Sequence, residues 1–409
     1  MGAFATLTRR WRRRSAALAG LLWAVVGHAQ TLPLPPITLD YFGLVLSRAD
    51  ARMPWPSVPF GSWRLWDANV TWPFLEPEPG HWNFQLLDRL VDEAAAHRTK
   101  LLLVLAHSPA WASARPTEAS AYKPGYAAEP RRIEDWRHYV RTVVQRYRGR
   151  IEAYQVWNEP SDKSHYSGSV QQLVELTCEA QKIITSIDPA AKVVSAGSAG
   201  GGVHIQYLDD FLGSGGDRCI DIVAHHFYVP RFGPEQMLPM IRQVREVMRR
   251  RQVDQLPLWN TESGWWIANT DGQPDHPIVA NGGWRKLDAD REAGATLQRA
   301  FLLARAEGVA RLYWYAWVNA YGWGLADAQA KPKPAARYWN TLVPELLDQQ
   351  ILPCTASAGQ MVCRLAASGG NLALRNEFRW DIGDALQRRE GGSLRASDVG
   401  GTPVEPARP

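Results

Sequence analysis

From about residue 38 onward, short apolar runs alternate with longer stretches whose apolar residues recur every three or four positions. The short runs begin near Leu39, Gly61, Lys100, Ile151, Lys192, Ile220, Leu256 and Ala310. Runs of this length, rich in Val, Leu, Tyr and Trp, predict buried β-strands. Between them, Phe84, Leu87, Leu90, Val91, Ala94 and Ala95 share one face of a helix. The same offsets recur at Ile133, Trp136, Tyr139, Val140, Val143 and Val144, and Tyr147 extends that stripe by a turn. A further stretch, Val170 to Ile187, stops at Asp188-Pro189. Eight strands separated by helices predict an α/β protein built as a (β/α)8 TIM barrel. A doubly wound open sheet, the rival architecture, brings a glycine-rich phosphate loop after an early strand. The run Gly197 to Gly202 lacks the G-x-G-x-x-G spacing and reads as a flexible loop after the fifth strand.

The pattern changes at both ends. From about Leu346 it shortens to QMVCRLA and NLALRNEF, which predicts a small C-terminal β appendage over residues 346–380. Residues 381–409 are rich in Gly, Arg and Ser, end in a Pro-containing stretch, and read as a disordered tail. At the N-terminus, Arg9, Arg10, Arg12, Arg13 and Arg14 precede an apolar run from Ala16 to Val26 and then Gly27-His28-Ala29. A basic start, a short apolar centre and a small-residue exit predict a secretory signal peptide over residues 1–29, leaving 30–345 for the barrel. The protein is therefore expected to be secreted or periplasmic. The apolar run is shorter than the ~20 residues that span a bilayer, so an uncleaved signal anchor is the one membrane contact left open.

The leader also accounts for the charge. Removing its five arginines takes the formal net charge from +5 to about 0, which argues against nucleic acid as a partner. Cys354 and Cys363, nine residues apart around Gly359, suit a disulfide-closed hairpin. Cys178 on a predicted helix and Cys219 before a strand either pair or remain buried thiols, and neither pair has zinc spacing. The chain holds 19 tryptophans, more than an ordinary core uses. A buried indole N–H must find a partner, so part of this excess reads as flat surface for a ligand such as a sugar ring.

Two segments carry the candidate chemistry: Val156-Trp157-Asn158-Glu159-Pro160 and Leu258-Trp259-Asn260-Thr261-Glu262-Ser263-Gly264. Each puts a glutamate at or just past the C-terminal end of a predicted strand, the fourth and the seventh. In a barrel those ends open onto one mouth, so Glu159 and Glu262 should face each other. Two opposed carboxylates are what a glycosidic bond needs, one as proton donor and one as nucleophile or base.

With these motifs the chain resembles a clan A glycoside hydrolase, and within that clan it is most similar to glycoside hydrolase family 39. The resemblance spans roughly residues 38–345. It implies that Glu159, after Asn158, is the acid/base and that Glu262 is the nucleophile of a retaining mechanism. It further implies that Asn158 bonds the sugar 2-hydroxyl and that Arg64, in Trp63-Arg64-Leu65-Trp66, keeps the nucleophile ionised. His226 and Tyr228 match the clan's His-x-Tyr, whose tyrosine donates to the nucleophile. Trp317 resembles its sugar-platform tryptophan, with Trp314 as the alternative if the register slips.

Other positions are read directly from the sequence. His107, before Ser108-Pro109, either lines the sugar pocket or is a satisfied core histidine. Trp265, Trp266, Trp284 and Trp323 fall in predicted loops around the mouth, where they could stack on further sugar units and form an open, endo-acting cleft. His225 and His226 lack a third metal ligand at strand or helix spacing, so neither metal nor cofactor is expected. The expected partner is an oligo- or polysaccharide, such as a bacterial exopolysaccharide, acted on by a monomer. A non-catalytic carbohydrate-binding barrel and a transglycosylase using the same residues are the two rival readings.

Overall fold

The computed structural model describes residues 34–47, 53–319, 323–367 and 374–382. The expected signal peptide lies outside the described residues, as does the expected tail apart from Asp381, which ends a strand, and Ile382, which is buried.

Nine parallel strands form one curled sheet: β1 Phe42–Val45, β2 Ser62–Leu65, β3 Lys100–Leu105, β4 Ala153–Val156, β5 Lys192–Val194, β6 Ser198–Ala199, β7 Val223–His226, β8 Leu258–Ser263 and β9 Val309–Tyr315. Their order across the sheet is β5-β4-β3-β2-β1-β9-β8-β7-β6. These are the eight expected strands, the fifth being broken into β5 and β6 between Val194 and Ser198. Isolated parallel bridges from Asn158 to Gly197 and from Val194 to Ile222 lace the two ends together, and the sheet closes as a (β/α)8 barrel. Its strands are buried on both faces, as a parallel sheet wrapped by helices requires.

The helices cover this sheet with the apolar stripes read from the sequence. Helix α1, Gln85–Ala96, buries Leu87, Leu90, Val91 and Ala94, while Phe84 precedes it and Ala95 faces solvent. Helix α2, Ile133–Arg146, buries Trp136, Tyr139, Val140, Val143 and Val144. Helix α3, Val170–Ile187, starts in a capping box: Ser169 and Gln172 satisfy each other's backbone N–H groups. The Cys178–Cys219 disulfide ties α3 to the turn ahead of β7, and Cys354 is bonded to Cys363.

Four short antiparallel strands follow the barrel: Gln349–Ile351, Thr355–Ser357, Gln360–Ala367 and Leu374–Asp381. They dock through a buried polar contact. Trp380 Nε1 donates to Glu235 Oε1 at 2.8 Å, and Arg299 Nη1 donates to the same oxygen at 2.9 Å. Trp380 thereby gains the partner that a buried indole needs.

Two stability predictions follow from this architecture. The Cys178–Cys219 bond closes a loop with a sequence separation of 41. By loop entropy, the double variant Cys178→Ala/Cys219→Ala should lose about 4 kcal/mol of unfolding free energy in a denaturant melt. An unchanged midpoint in that melt would show that the staple adds nothing. The second prediction concerns acid. Burial pushes His107, His225 and His226 from the ordinary 6.5 down to about 3. A folded pKa below the unfolded one gives stability that is complete above pH 6.5 and is lost as pH falls toward 3. Each histidine should then contribute a slope of up to about 1.4 kcal/mol per pH unit across that window. Urea melts at stepped pH measure this, and a flat midpoint from neutrality to mildly acidic pH would contradict it.

Candidate active site

The site grows from the way β4 ends. Past Val156 the chain leaves the sheet through Trp157, at φ 70, and Glu159, at φ 46, both in the left-handed region that non-glycine residues seldom adopt. Three contacts hold this turn. Trp157 N donates to Leu105 O at 2.8 Å, Trp157 Nε1 to His165 O at 2.9 Å, and Glu159 N to Gly197 O at 2.9 Å. Glu159 is thereby held over the barrel mouth beside β7. Glu262 reaches the same space from within β8, where it is buried.

Arg64, on β2, organises what lies between them. Its side chain is fully buried, and its N–H groups donate to Glu262 Oε2 at 2.6 Å, Asn158 Oδ1 at 2.6 Å and Gln155 Oε1 at 2.9 Å. Tyr228, two residues past His226, donates its hydroxyl to Glu262 Oε1 at 2.8 Å. Both Glu262 oxygens therefore accept a strong hydrogen bond, one of them from a guanidinium.

Glu159 has a different surrounding. Its Oε1 lies 2.9 Å from Nδ1 of His226, and its Oε2 lies 3.7 Å from Nε2 of His165. Burial pushes both carboxyls above the ordinary glutamate range, and their proximity adds to the rise for Glu262. Against that rise, Arg64 and Tyr228 favour the ionised form of Glu262, whereas burial keeps His226 neutral beside Glu159. A proton shared by the pair therefore belongs on Glu159.

Around the carboxylates lies a cavity of about 510 Å³. Trp66 and Tyr122 line one wall with ring centroids 5.8 Å apart. Tyr228, Trp284, Trp323 and Tyr315 line another, with Trp284 and Trp323 only 4.4 Å apart. Polar atoms come from Asp67, Asn158, His165 and His204, and Gly200 and Gly201 leave room at the edge. Asp67, at φ 53, accepts the Tyr315 hydroxyl at 2.7 Å, and desolvation raises its carboxyl above the usual aspartate range.

Arg64, Asn158, Tyr228, Glu159 and Glu262 thus converge. Several other expected residues stand behind the cavity wall. Trp317 is buried, with its amide donating to Val45 O at 2.9 Å, and the residue lining the cavity is Tyr315. The strand ends at Tyr315, so inward alternation cannot be carried on to Trp317. Trp314, the alternative, is buried in the wall beside Trp265 and Phe301. Trp265 and Trp266 are buried rather than exposed on a loop. Trp265 donates to Phe232 O at 2.8 Å, and Trp266 lies in a short strand paired with Lys286–Leu287, backing Trp323. His107 sits beneath Tyr122 and Trp66, with ring centroids 4.3 and 5.4 Å away. His226, fully buried, contacts Glu159 in place of the cavity.

Asp67, Tyr122, His165 and His204 were not anticipated from the sequence. Trp66-Asp67 directly follows the Arg64 strand and was the one legible signal among them. Glu159, His226 and Glu262 also meet the geometric condition for a metal cluster, with their ligand atoms within 4.8 Å of one another. Spacing along a strand could not show this, because the three come from different strands. The donor set is already engaged, however: Glu262 accepts from Arg64 and Tyr228, and His226 bonds Glu159. A dication placed there would face the Arg64 guanidinium and break these bonds.

The fold and sequence have known counterparts. A family 39 glycoside hydrolase from the gut symbiont Bacteroides cellulosilyticus WH2 superposes with a TM-score of 0.62 at 17% identity, covering 85% of this chain and 71% of that one. A family 39 β-xylosidase from Caulobacter crescentus gives 0.61 at 18% identity, covering 86% and 79%. A family 10 enzyme from Paenibacillus barcinonensis gives 0.51 at 20% identity, covering 76% and 96%. No curated protein matches the chain by sequence. Residues 76–284, just over half of the 409-residue chain, match the sequence profile of glycosyl hydrolases family 39. The chain is therefore a glycoside hydrolase and belongs to glycosyl hydrolases family 39.

Proposed function

We propose that the protein hydrolyses a polysaccharide internally, with retention of anomeric configuration, using Glu262 as nucleophile and Glu159 as acid/base. The observation that carries this reading is the unequal pair of carboxylates. Glu262 is held by Arg64 and Tyr228 at 2.6 and 2.8 Å, while Glu159 has a neutral histidine on one oxygen. Their ligand atoms lie within 4.8 Å of one another. That closeness suits direct attack by Glu262, since inversion needs carboxyls about 6.5–9.5 Å apart to admit a water.

In the first step a Glu262 oxygen attacks the anomeric carbon while Glu159 gives its proton to the departing oxygen. In the second, Glu159 takes a proton from water, whose oxygen displaces Glu262 from the sugar. Asn158 supports both steps. Its Oδ1 accepts from Arg64, which can only donate, so its amide N–H₂ is left to bond the sugar 2-hydroxyl.

Aromatic rings on two walls of a cavity of this volume suit a chain of sugars, and hence internal cleavage. A bacterial exopolysaccharide is the substrate class we favour. Action outside the cytoplasm is supported by the signal-like leader and by two disulfides, which persist in oxidising compartments.

Screening purified polysaccharides by product size identifies the substrate and separates internal from terminal cleavage; products of one sugar unit alone would overturn the internal mode. On that substrate, Glu262→Ala should lose turnover, and added azide should restore a product of inverted configuration. Glu159→Ala should lose about 10²–10⁴-fold on the natural substrate while retaining cleavage of activated aryl glycosides, which need little protonation. Wild-type rates in both variants would refute the assignment. In the pH profile of kcat/KM, the acid limb should report ionisation of Glu262 and the alkaline limb deprotonation of Glu159. The alkaline limb should vanish in Glu159→Gln.

A further inference from the structure

A line of hydrogen bonds inside the barrel joins the two carboxylates, and each member leaves the next one a single direction. Arg64 only donates, so Gln155 must present Oε1 to Arg64 Nε, 2.9 Å away. That makes Gln155 Nε2 the donor to Ser195 O at 3.0 Å and to Thr261 Oγ1 at 3.1 Å. Thr261 Oγ1 thus accepts from Gln155 and has one proton of its own to give. Its other contact is His226 Nε2, at 3.1 Å. Giving the proton there satisfies every polar atom in the line.

The opposite arrangement leaves a group unpaired. If His226 Nε2 carried the hydrogen, the Thr261 hydroxyl proton would have no acceptor among the described residues, although Gln155, Thr261 and His226 are all 0% exposed. A buried donor left unpaired gives up its bond to water and gains none in return, so that arrangement is disfavoured. Gly197 belongs to the same arrangement, because a Cβ there would stand 2.4 Å from His226 Nε2 and displace the ring.

We propose that Gln155 and Thr261 are positioning residues that hold His226 in its Nδ1–H form, so that His226 donates to Glu159 Oε1 and the working proton of Glu159 is confined to Oε2. The catalytic half of this statement rests on the acid/base role given to Glu159 above. The bond from Nδ1 to Oε1, 2.9 Å long, is favourable whether Glu159 is protonated or ionised. The carboxyl therefore need not rotate between the two steps: Oε2 releases the proton to the leaving oxygen and later takes one from water. The charged and titratable groups near Glu159 fit this division. His165 stands 3.7 Å from Oε2 with Asp162 3.5 Å behind it, while Arg64, Glu262 and His204 are further neighbours or cavity walls. Oε1 meets His226 alone among the described residues.

Long-range ¹H–¹⁵N correlation on the full-length enzyme with ¹⁵N-labelled histidine reads the tautomer without any substrate, the His226 signals being assigned by their loss in His226→Asn. The expected result at neutral pH is hydrogen on Nδ1 and a bare Nε2. Hydrogen on Nε2, or on both nitrogens, would overturn the proposal. In Thr261→Val the preference should weaken to a mixture of tautomers; an unchanged Nδ1–H form there would remove Thr261 from the role. On the substrate found by screening, Thr261→Val should lose about tenfold in kcat/KM while keeping its rate on substrates with activated leaving groups, a part of the ~10²–10⁴-fold that general acid catalysis supplies. Equal losses on both substrate types would mean a merely structural role. The two readings fail separately. Full turnover in Glu159→Gln refutes the acid/base assignment, and the wrong tautomer refutes the positioning line alone.

Discussion

One buried guanidinium sets the terms for this barrel. Arg64 carries a permanent charge into an interior where water cannot reach it, and such a charge is tolerated only when it is paired and hydrogen-bonded. Its three partners, Glu262, Asn158 and Gln155, come from β8, the end of β4 and β4 itself. The need to satisfy one side chain therefore fixes where three others stand. Leaving such a charge without its carboxylate costs about 3–5 kcal/mol, a large part of a typical domain's stability. The pairing thus favours an ionised Glu262, against the rise that burial imposes on its carboxyl.

The chemistry follows from a difference in neighbours. Both carboxyls are desolvated, and desolvation alone would make them equivalent acids. What separates them is a cation and a phenol on Glu262 against a neutral imidazole on Glu159. His226 stays neutral because it is fully enclosed, so the same burial that raises the carboxyls keeps charge off the imidazole that bonds Glu159.

Much of this was readable in the sequence because barrel strands repeat simple rules. The strand count brought Glu159 and Glu262 to one mouth, and the family resemblance marked Arg64 and Tyr228 as their neighbours. The rules failed where strands stop. Trp317 shares parity with Tyr315 but lies past the end of β9, and Trp266 lies in a short strand where a loop was expected. Asp67, Tyr122, His165 and His204 lie in connections without period, whose course is set by contacts distant in sequence. Tyr122 is one such case: it packs on His107 and His165, 4.3 and 5.6 Å away between ring centroids, and no local pattern encodes that. The break in the fifth strand was equally hidden, since Lys192 to Ser198 reads as one short strand segment.

That break has a consequence for how such a protein can change over generations. Between β5 and β6 the ladder is interrupted, and side chains take over the stitching: Gln155 bonds the Ser195 carbonyl, and the Ser195 hydroxyl accepts the Ala224 amide. The Glu159 amide meets the Gly197 carbonyl across the same gap. The stitches that close the wall thus share residues with the line of hydrogen bonds that reaches Glu159. A substitution at Gln155 or Gly197 alters the wall and the surroundings of His226 and Glu159 together, so neither can drift alone.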